Sequence, residues 1–137
     1  MTINSNLNEL NEKAVCISQL LKNSKSSPLK RESNGNLAKK FPYFGYIEIN
    51  ISDLPTFTMF SNNDDVVAQH YFWRGNDSYE STSLKIWAIL SKKSRTIFDI
   101  GSYTGIFALS AAVSNKKSKI STPKKTYITI YKYFDRS

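Results

Sequence analysis

The pattern of apolar and polar positions predicts a helix at the amino-terminal end of the chain. Apolar residues recur at helical intervals over residues 1–22, after a cap at Ser5 or Asn6; they are Leu7, Leu10, Ala14, Ile17 and Leu21. We expect this amphipathic helix to dock on the domain, and a homodimer through it is the alternative. Residues 23–40 are polar, basic and rich in Ser and Asn, which predicts a flexible linker.

The middle of the chain predicts a small hairpin followed by a helix. Residues 46–51 alternate apolar and polar side chains, and residues 56–60 do so again after a short turn. Alternation of this kind is typical of half-buried strands, so the two runs predict a β-hairpin. A helix is expected from about Asp65 to Arg74, with Gly75 as its end.

A second helix is predicted after residue 75. Asp77 and Glu80 are three residues apart, as in a variant of the capping box, and would open a helix that runs to about Lys92. Its buried face is expected to consist of Leu84, Trp87 and Ala88.

Residues 96–112 combine a strand, a glycine loop and a helix. Thr96–Ile100 is a short apolar, β-branched run of the kind found in strands that are covered on both faces. The helix after the loop is apolar on almost every side, as expected of a helix packed beside a sheet. Gly101 and Gly105 allow a sharp turn and a close approach of a ligand. Asp99 ends the strand, where open α/β sheets bind ligands and a carboxylate can accept a hydrogen bond from a cationic amine.

Composition and charge narrow the classes of function. A chain of 137 residues with 40% hydrophobic residues can hold one core. The net charge is +8, but residues 46–115 carry seven acidic and five basic residues, so the excess lies in the two flanks. Charge confined to Lys-, Ser- and Asn-rich flanks argues against nucleic acid as the partner. The one cysteine, Cys16, excludes an internal disulfide and a zinc cluster.

Two further patterns bear on location. The chain has no apolar run of about 18 residues, so no membrane span is expected. It also lacks a basic start followed by an apolar stretch, the pattern of a secretory signal. We therefore expect a cytoplasmic protein.

The glycine loop has the pattern D-x-G-x-x-x-G over residues 99–105. This spacing is neither the nicotinamide fingerprint G-x-G-x-x-G nor a phosphate loop. With the flanking F-D-I-G and the apolar helix, the stretch resembles motif I of class I S-adenosylmethionine-dependent methyltransferases. The upstream strand pair, the aromatic-rich helix and the Tyr-Glu at residues 79–80 are similar to the entry of an FkbM-type methyltransferase domain. The resemblance covers roughly residues 56–120.

The resemblance implies an α/β fold with an incomplete Rossmann-like sheet in residues 41–120, preceded by the amino-terminal helix and the hairpin. It implies S-adenosylmethionine as the cofactor and methyl transfer to an oxygen, often a sugar hydroxyl, so the partner would be a small-molecule or glycan acceptor. By position, Asp99, Gly101 and Gly105 would line the amino-acid end of the cofactor, with Tyr103 beside it. Glu80 is a further cofactor-binding candidate, with a helix cap as the alternative. No catalytic residue and no metal ligand are assigned.

The resemblance ends near Ile120. In the family the second strand ends in an acidic residue about 25 residues beyond Asp99, where this chain has S-T-P-K-K. We therefore expect a reading-frame break or a premature stop near Lys119, with residues 121–137 an out-of-frame basic tail and the short chain inactive by itself. The alternative is a small basic module that binds nucleic acid or protein without catalysis.

Overall fold

A computed structural model describes residues 2–122 of the chain, with side chains described from residue 6. Within this range the protein is a mixed α/β structure, as predicted, and none of its helices has the length and apolar character needed to cross a membrane. It contains one antiparallel and one parallel pair of strands. The elements are α1 (Thr2–Asn23), a 3-10 helix (Pro28–Arg31), α2 (Asn34–Lys40), β1 (Gly45–Ile49), β2 (Phe57–Ser61), α3 (Val66–Arg74), α4 (Ser81–Lys92), β3 (Thr96–Phe98), α5 (Ile106–Ser114) and β4 (Lys119–Ser121).

The predicted hairpin is present as β1 and β2, which pair antiparallel with Ile47 opposite Met59. Burial alternates along both strands, because successive side chains of a strand point to opposite faces. The inner face packs in the core. On the outer face the exposed rings of Tyr46 and Phe60 meet edge to face, with 5.3 Å between their centroids.

The amino-terminal helix packs on α3 through one face. Ala14 and Leu21 are buried there, and the Ser18 hydroxyl donates a hydrogen bond to the Phe72 carbonyl. The helix begins at Thr2, earlier than the predicted caps. Leu7 remains exposed near the start of the helix. A homodimer through α1 stays a prediction.

Residues 23–40 differ from the flexible linker that their composition predicts. They contain the 3-10 helix and α2, whose first turn is capped by the Ser33 hydroxyl, which accepts a hydrogen bond from the Asn36 N–H at 3.2 Å. Leu37 and Ala38 are fully buried, and α2 packs against α3. A polar average over eighteen residues concealed the two apolar positions that this short helix buries.

An arginine from α3 holds this segment in place. The Arg74 Nε donates to the Asn34 side-chain oxygen at 2.8 Å, and its Nη1 donates to the Lys30 carbonyl at 3.2 Å. Its Nη2 donates to the Glu32 carbonyl. The order of the segment therefore depends on a side chain about 40 residues later, which no local pattern indicates.

The helix α3 ends at Arg74 before Gly75, as predicted, but it begins one residue late, because Asp65, which was predicted as its first residue, is its cap. The Asp65 carboxylate accepts hydrogen bonds from the N–H groups of Val67 and Ala68, at 2.8 and 3.1 Å, and so caps the first turn. Gly75 follows the last turn with a φ of 86°, which favours glycine.

The capping box predicted for α4 is wrong. The Asp77 carboxylate accepts hydrogen bonds from the N–H and the hydroxyl of Ser52 instead, and its Oδ1 lies 3.7 Å from the Lys85 ammonium. Glu80 occupies the cap position with a φ of 42°, but its side chain accepts no hydrogen bond from the helix. Asp77 thus joins the loop between β1 and β2 to the start of α4, a long-range contact that competes with the local cap. Leu84 and Ala88 are buried on the predicted face.

The predicted strand at residues 96–100 is regular over three residues and pairs parallel with β4. The Asp99 N–H continues the ladder by donating to the Ser121 carbonyl at 3.0 Å. Ile97 is buried, whereas Phe98 is 63% and Ile100 83% exposed, so within residues 2–122 this strand is covered on one face and not on two. Of the predicted tail at 121–137, all but residues 121 and 122 lie outside the described residues. The Rossmann-like sheet stays a prediction.

The Arg74 contacts predict that Arg74→Met loosens residues 28–40. Three hydrogen bonds from a charged group are lost, so the free energy of unfolding should fall by about 1–3 kcal/mol. Amide hydrogen exchange in α2 should become faster, while exchange in β1 and β2 changes less. Arg31→Met is the matched control, because Arg31 is exposed. Unchanged exchange in α2 would show that Arg74 does not hold the segment.

Candidate functional site

Two glycines determine the path of the loop between β3 and α5. Gly101 has a φ of 82° and Gly105 a φ of 76°, both in the left-handed region that other residues rarely adopt. A Cβ built on Gly101 would meet no atom within 4 Å. Glycine is therefore required at residue 101 by the backbone conformation and not by crowding, and the exposed main chain there is open to a ligand.

Asp99 turns inward at the end of the strand. Its side-chain oxygen Oδ2 accepts a hydrogen bond from the Ala108 N–H at 3.0 Å, in the first turn of α5. Gly105 occupies the cap position of α5 and has no side chain, so the carboxylate of Asp99 supplies the missing cap. The residue is only 8% exposed. Asp99 therefore ties the strand, the loop and the helix together, whatever else it binds.

The surroundings of Asp99 change its acidity. Burial raises the pKa of its carboxyl group, and the hydrogen bond from Ala108 offsets part of that rise. The group consequently loses its proton less readily than an exposed aspartate. A bound cation close to the carboxylate would shift the pKa back down.

A small cavity of about 70 Å³ lies against this loop. Three of the predicted residues line it, namely Asp99, Tyr103 and Gly105. Since one water molecule occupies about 30 Å³ in the liquid, the cavity can enclose only a small polar group, such as one end of a larger ligand. The remainder of any ligand of cofactor size would lie over the exposed loop.

Gly101 and Tyr103 occupy the outer part of the site. Gly101 is exposed and does not line the cavity, although it shapes the turn that leads into it. Tyr103 lines the cavity but is 75% exposed overall. Its ring is free to pack on a ligand that extends out of the cavity.

Glu80 does not line the cavity, and although it occupies the cap position of α4, its side chain caps no N–H group of the helix. It is exposed, and its neighbour Tyr79 lines the cavity instead. Burial, and secondarily the charge of Glu80, raises the pKa of Tyr79, so Glu80 lies near that phenol. A cofactor-binding role for Glu80 stays a prediction, and Tyr79 is the residue of this pair that lines the cavity.

The sequence patterns also missed Val67, which lines the cavity from α3. It lies 32 positions before Asp99, and a buried valine of a helix carries no signal of a binding role. Only the packing of α3 beside the loop places it there.

The first turn of α5 packs against α4 through Trp87. The Trp87 Nε1 donates a hydrogen bond to the Phe107 carbonyl at 2.8 Å, and the two rings meet edge to face with 5.8 Å between centroids. Phe107 itself lines the cavity. The sequence predicted Trp87 only as part of the buried face of α4. It also positions Phe107, and with it one side of the cavity.

Metal binding has no support in the described part of the chain, where no group of three His, Cys, Asp or Glu side chains is arranged to hold an ion. His70 of α3 packs beside Tyr79, with 5.4 Å between ring centroids.

Comparison with known proteins adds no relative from which a role could be transferred. The chain matches no protein family, no curated protein and no solved structure. What the site does is therefore inferred from its geometry and its motif.

The raised pKa of Asp99 predicts a pH dependence of stability. Because the folded state holds this proton more tightly than the unfolded state, the contribution is fully present below the unfolded pKa of about 3.9 and is lost as pH rises through the folded pKa. The free energy of unfolding of the wild type minus that of Asp99→Asn should therefore fall as pH rises from about 3.9 through the folded pKa, because the amide keeps an acceptor for Ala108 and does not titrate.

Urea unfolding at a series of pH values measures this difference. Asp53→Asn is the matched control, because Asp53 is exposed and asparagine tolerates its positive φ of 71°. If the free energy of unfolding of the wild type minus that of Asp99→Asn increases as pH rises, the raised pKa of Asp99 is contradicted.

Proposed function

We propose that the chain is the amino-terminal part of an FkbM-type, class I S-adenosylmethionine-dependent methyltransferase. The observation that supports this most is the loop from Asp99 to Gly105, which joins the carboxyl end of β3 to α5 while β4 lies parallel to β3. Ligands of open α/β sheets bind at this edge. The motif resemblance and the strand–loop–helix geometry agree on the same seven residues.

The residues of the loop fit one end of the cofactor. The amino-acid end of S-adenosylmethionine carries an ammonium and a carboxylate, and the cavity beside Asp99 has room for a group of about that size. The open main chain at Gly101 allows close approach, and the exposed ring of Tyr103 offers a surface to the rest of the molecule. Bound there, the cofactor would supply an electrophilic methyl group.

The exposed apolar side chains of β3 support an incomplete sheet. Parallel sheets are normally covered on both faces, yet Phe98 and Ile100 are largely exposed. We infer that the described residues form one side of a larger Rossmann-like sheet and that the 137-residue chain binds cofactor without catalysing transfer. Methyl transfer depends on positioning the acceptor and excluding water. The acceptor, a small molecule or glycan hydroxyl, and a cytoplasmic location belong to the same proposal.

One observation favours the alternative of a basic binding module. Among the described residues the ion pairs are Lys40 with Glu32, at 2.7 Å, and Lys85 with Asp77. The other cations of the amino-terminal flank therefore have no acidic partner within 4 Å among residues 2–122. An affinity for RNA that falls steeply with salt would support this alternative.

The cofactor proposal predicts where S-adenosylhomocysteine binds to the 137-residue chain. In ¹⁵N spectra the amides of residues 101–107 should shift during the titration. Asp99→Asn should weaken binding by about 1–3 kcal/mol, or roughly 5- to 150-fold, as for a lost charged hydrogen bond. Asp53→Asn is again the control and should leave the affinity unchanged.

Two results would contradict this proposal. If S-adenosylhomocysteine shifts no amide in the loop, the methyltransferase assignment loses its main support. If it binds but Asp99→Asn has the same affinity as the control, the cofactor lies elsewhere on the chain.

A further inference from the structure

A second and larger cavity lies on another side of α3, away from the glycine loop. Its volume is about 370 Å³, against about 70 Å³ for the cavity beside Asp99, and it is at the lower end of the range typical of small-molecule sites. It lies where the carboxyl end of α1, strand β1 and the carboxyl end of α3 meet. We call it the hairpin cavity, and the residues that matter here are Lys22, Tyr46, Glu48, Tyr71, Phe72 and Asn76.

The floor of the hairpin cavity is aromatic and held firmly. Phe72 and Tyr71 are buried, and Phe72 stacks on Tyr43 with 4.2 Å between centroids. The Tyr71 hydroxyl donates to the Tyr79 carbonyl at 3.1 Å. Burial, with a smaller effect from Asp77, raises the pKa of Tyr71 to about 12, so its phenol stays neutral at physiological pH. The floor is thus rigid and almost wholly buried, and the aromatic surface that the cavity leaves open to a ligand is the ring of Tyr46, which is 59% exposed.

Lys22 supplies a positive charge on one side. Its stem lies along Gly75, where a Cβ would be 3.7 Å from the lysine Cδ, and its Nζ lies 5.9 Å from the centroid of the Phe72 ring. No carboxylate of the described residues is within 4 Å of this ammonium. Burial lowers the pKa of Lys22, which is the direction expected of an ammonium that no neighbouring carboxylate stabilises.

Glu48 supplies a negative charge to the same cavity. One of its oxygens accepts a hydrogen bond from the Asn50 side-chain amide at 2.7 Å. The Asn50 oxygen in turn accepts from the Thr56 hydroxyl at 2.6 Å, so the carboxylate is anchored to the turn between the strands. Glu48 and Lys22 face one cavity without forming an ion pair. Two opposite charges that are not paired with each other, beside the exposed ring of Tyr46, are complementary to a ligand that carries both charges and an apolar body.

We propose that the hairpin cavity binds a small zwitterion of the amino-acid class, with its carboxylate at Lys22, its ammonium at Glu48 and an apolar side chain on the exposed ring of Tyr46. This site is independent of the proposed methyltransferase function. The hairpin cavity lies at the carboxyl end of α3, and none of its lining residues belongs to the loop of residues 99–105.

The test is a titration of the ¹⁵N-labelled 137-residue chain with L-phenylalanine. We expect shifts in residues 46–50 and 71–76, none in residues 101–107, and a dissociation constant on the order of 1 mM, as for a ligand of about a dozen heavy atoms. Phenethylamine lacks the carboxylate and 3-phenylpropionate lacks the ammonium, so each should bind at least about tenfold more weakly.

Charge variants identify the partners within the cavity. Lys22→Met and Glu48→Gln should each weaken L-phenylalanine binding about tenfold or more. Lys25→Met is the matched control for the lysine, because Lys25 is exposed and does not line the cavity, and Glu9→Gln is the control for the glutamate. The dispersed spectrum of each variant shows that it is folded, and both charged residues lie at the exposed rim.

The pKa of Lys22 gives a second readout. With the lysines ¹³C-methylated, which keeps their charge, saturating L-phenylalanine should raise the pKa of Lys22. The proposal is overturned if no residue of the hairpin cavity shifts at 10-fold the expected dissociation constant, or if 3-phenylpropionate binds as tightly as L-phenylalanine. Shifts caused by S-adenosylhomocysteine in residues 101–107 alone would leave the two sites distinct.

Discussion

The burial of α3 is the constraint on which the rest of the structure depends. Six of its nine residues are buried, and α1, α2, β1 and β2 all pack against it. Phe72 and Trp73 lie edge to face at 4.7 Å, so much of the buried aromatic surface of the protein is concentrated in one turn. The same helix contributes Val67 to the cavity beside the glycine loop and Phe72 to the hairpin cavity. Both candidate sites are therefore positioned by one element.

The parallel strand pair contrasts with this well-covered helix. One face of β3 packs inward through Ile97, and the other presents Phe98 and Ile100 to solvent. The helix α4 shows the same asymmetry, because Ile86, Ile89 and Leu90 are exposed opposite its packed face. Exposed apolar side chains on a central-type strand and on an adjoining helix mark a surface that further elements would cover in a complete domain. This distribution supports the proposal of an incomplete sheet.

Local sequence patterns predicted the structure correctly where it depends mainly on interactions within one segment. Alternation predicted the hairpin, Gly75 marked the carboxyl end of α3, and the glycine spacing located the loop whose positive φ angles the structure has at Gly101 and Gly105. These features depend on neighbouring backbone groups and on the stereochemistry of single residues. Such features can therefore be predicted from the sequence.

The sequence by itself thus determined the mixed α/β class, the hairpin, the main helices and the loop with Asp99 at its head. Tertiary structure decided what each polar side chain does. Arg74 orders a segment that composition marks as a linker, and Asp77 binds the hairpin turn instead of capping α4. Tertiary structure also placed Lys22 and Glu48 around one cavity, although they are 26 positions apart in the chain. Such contacts arise from packing between distant segments, and a local pattern carries no information about that packing.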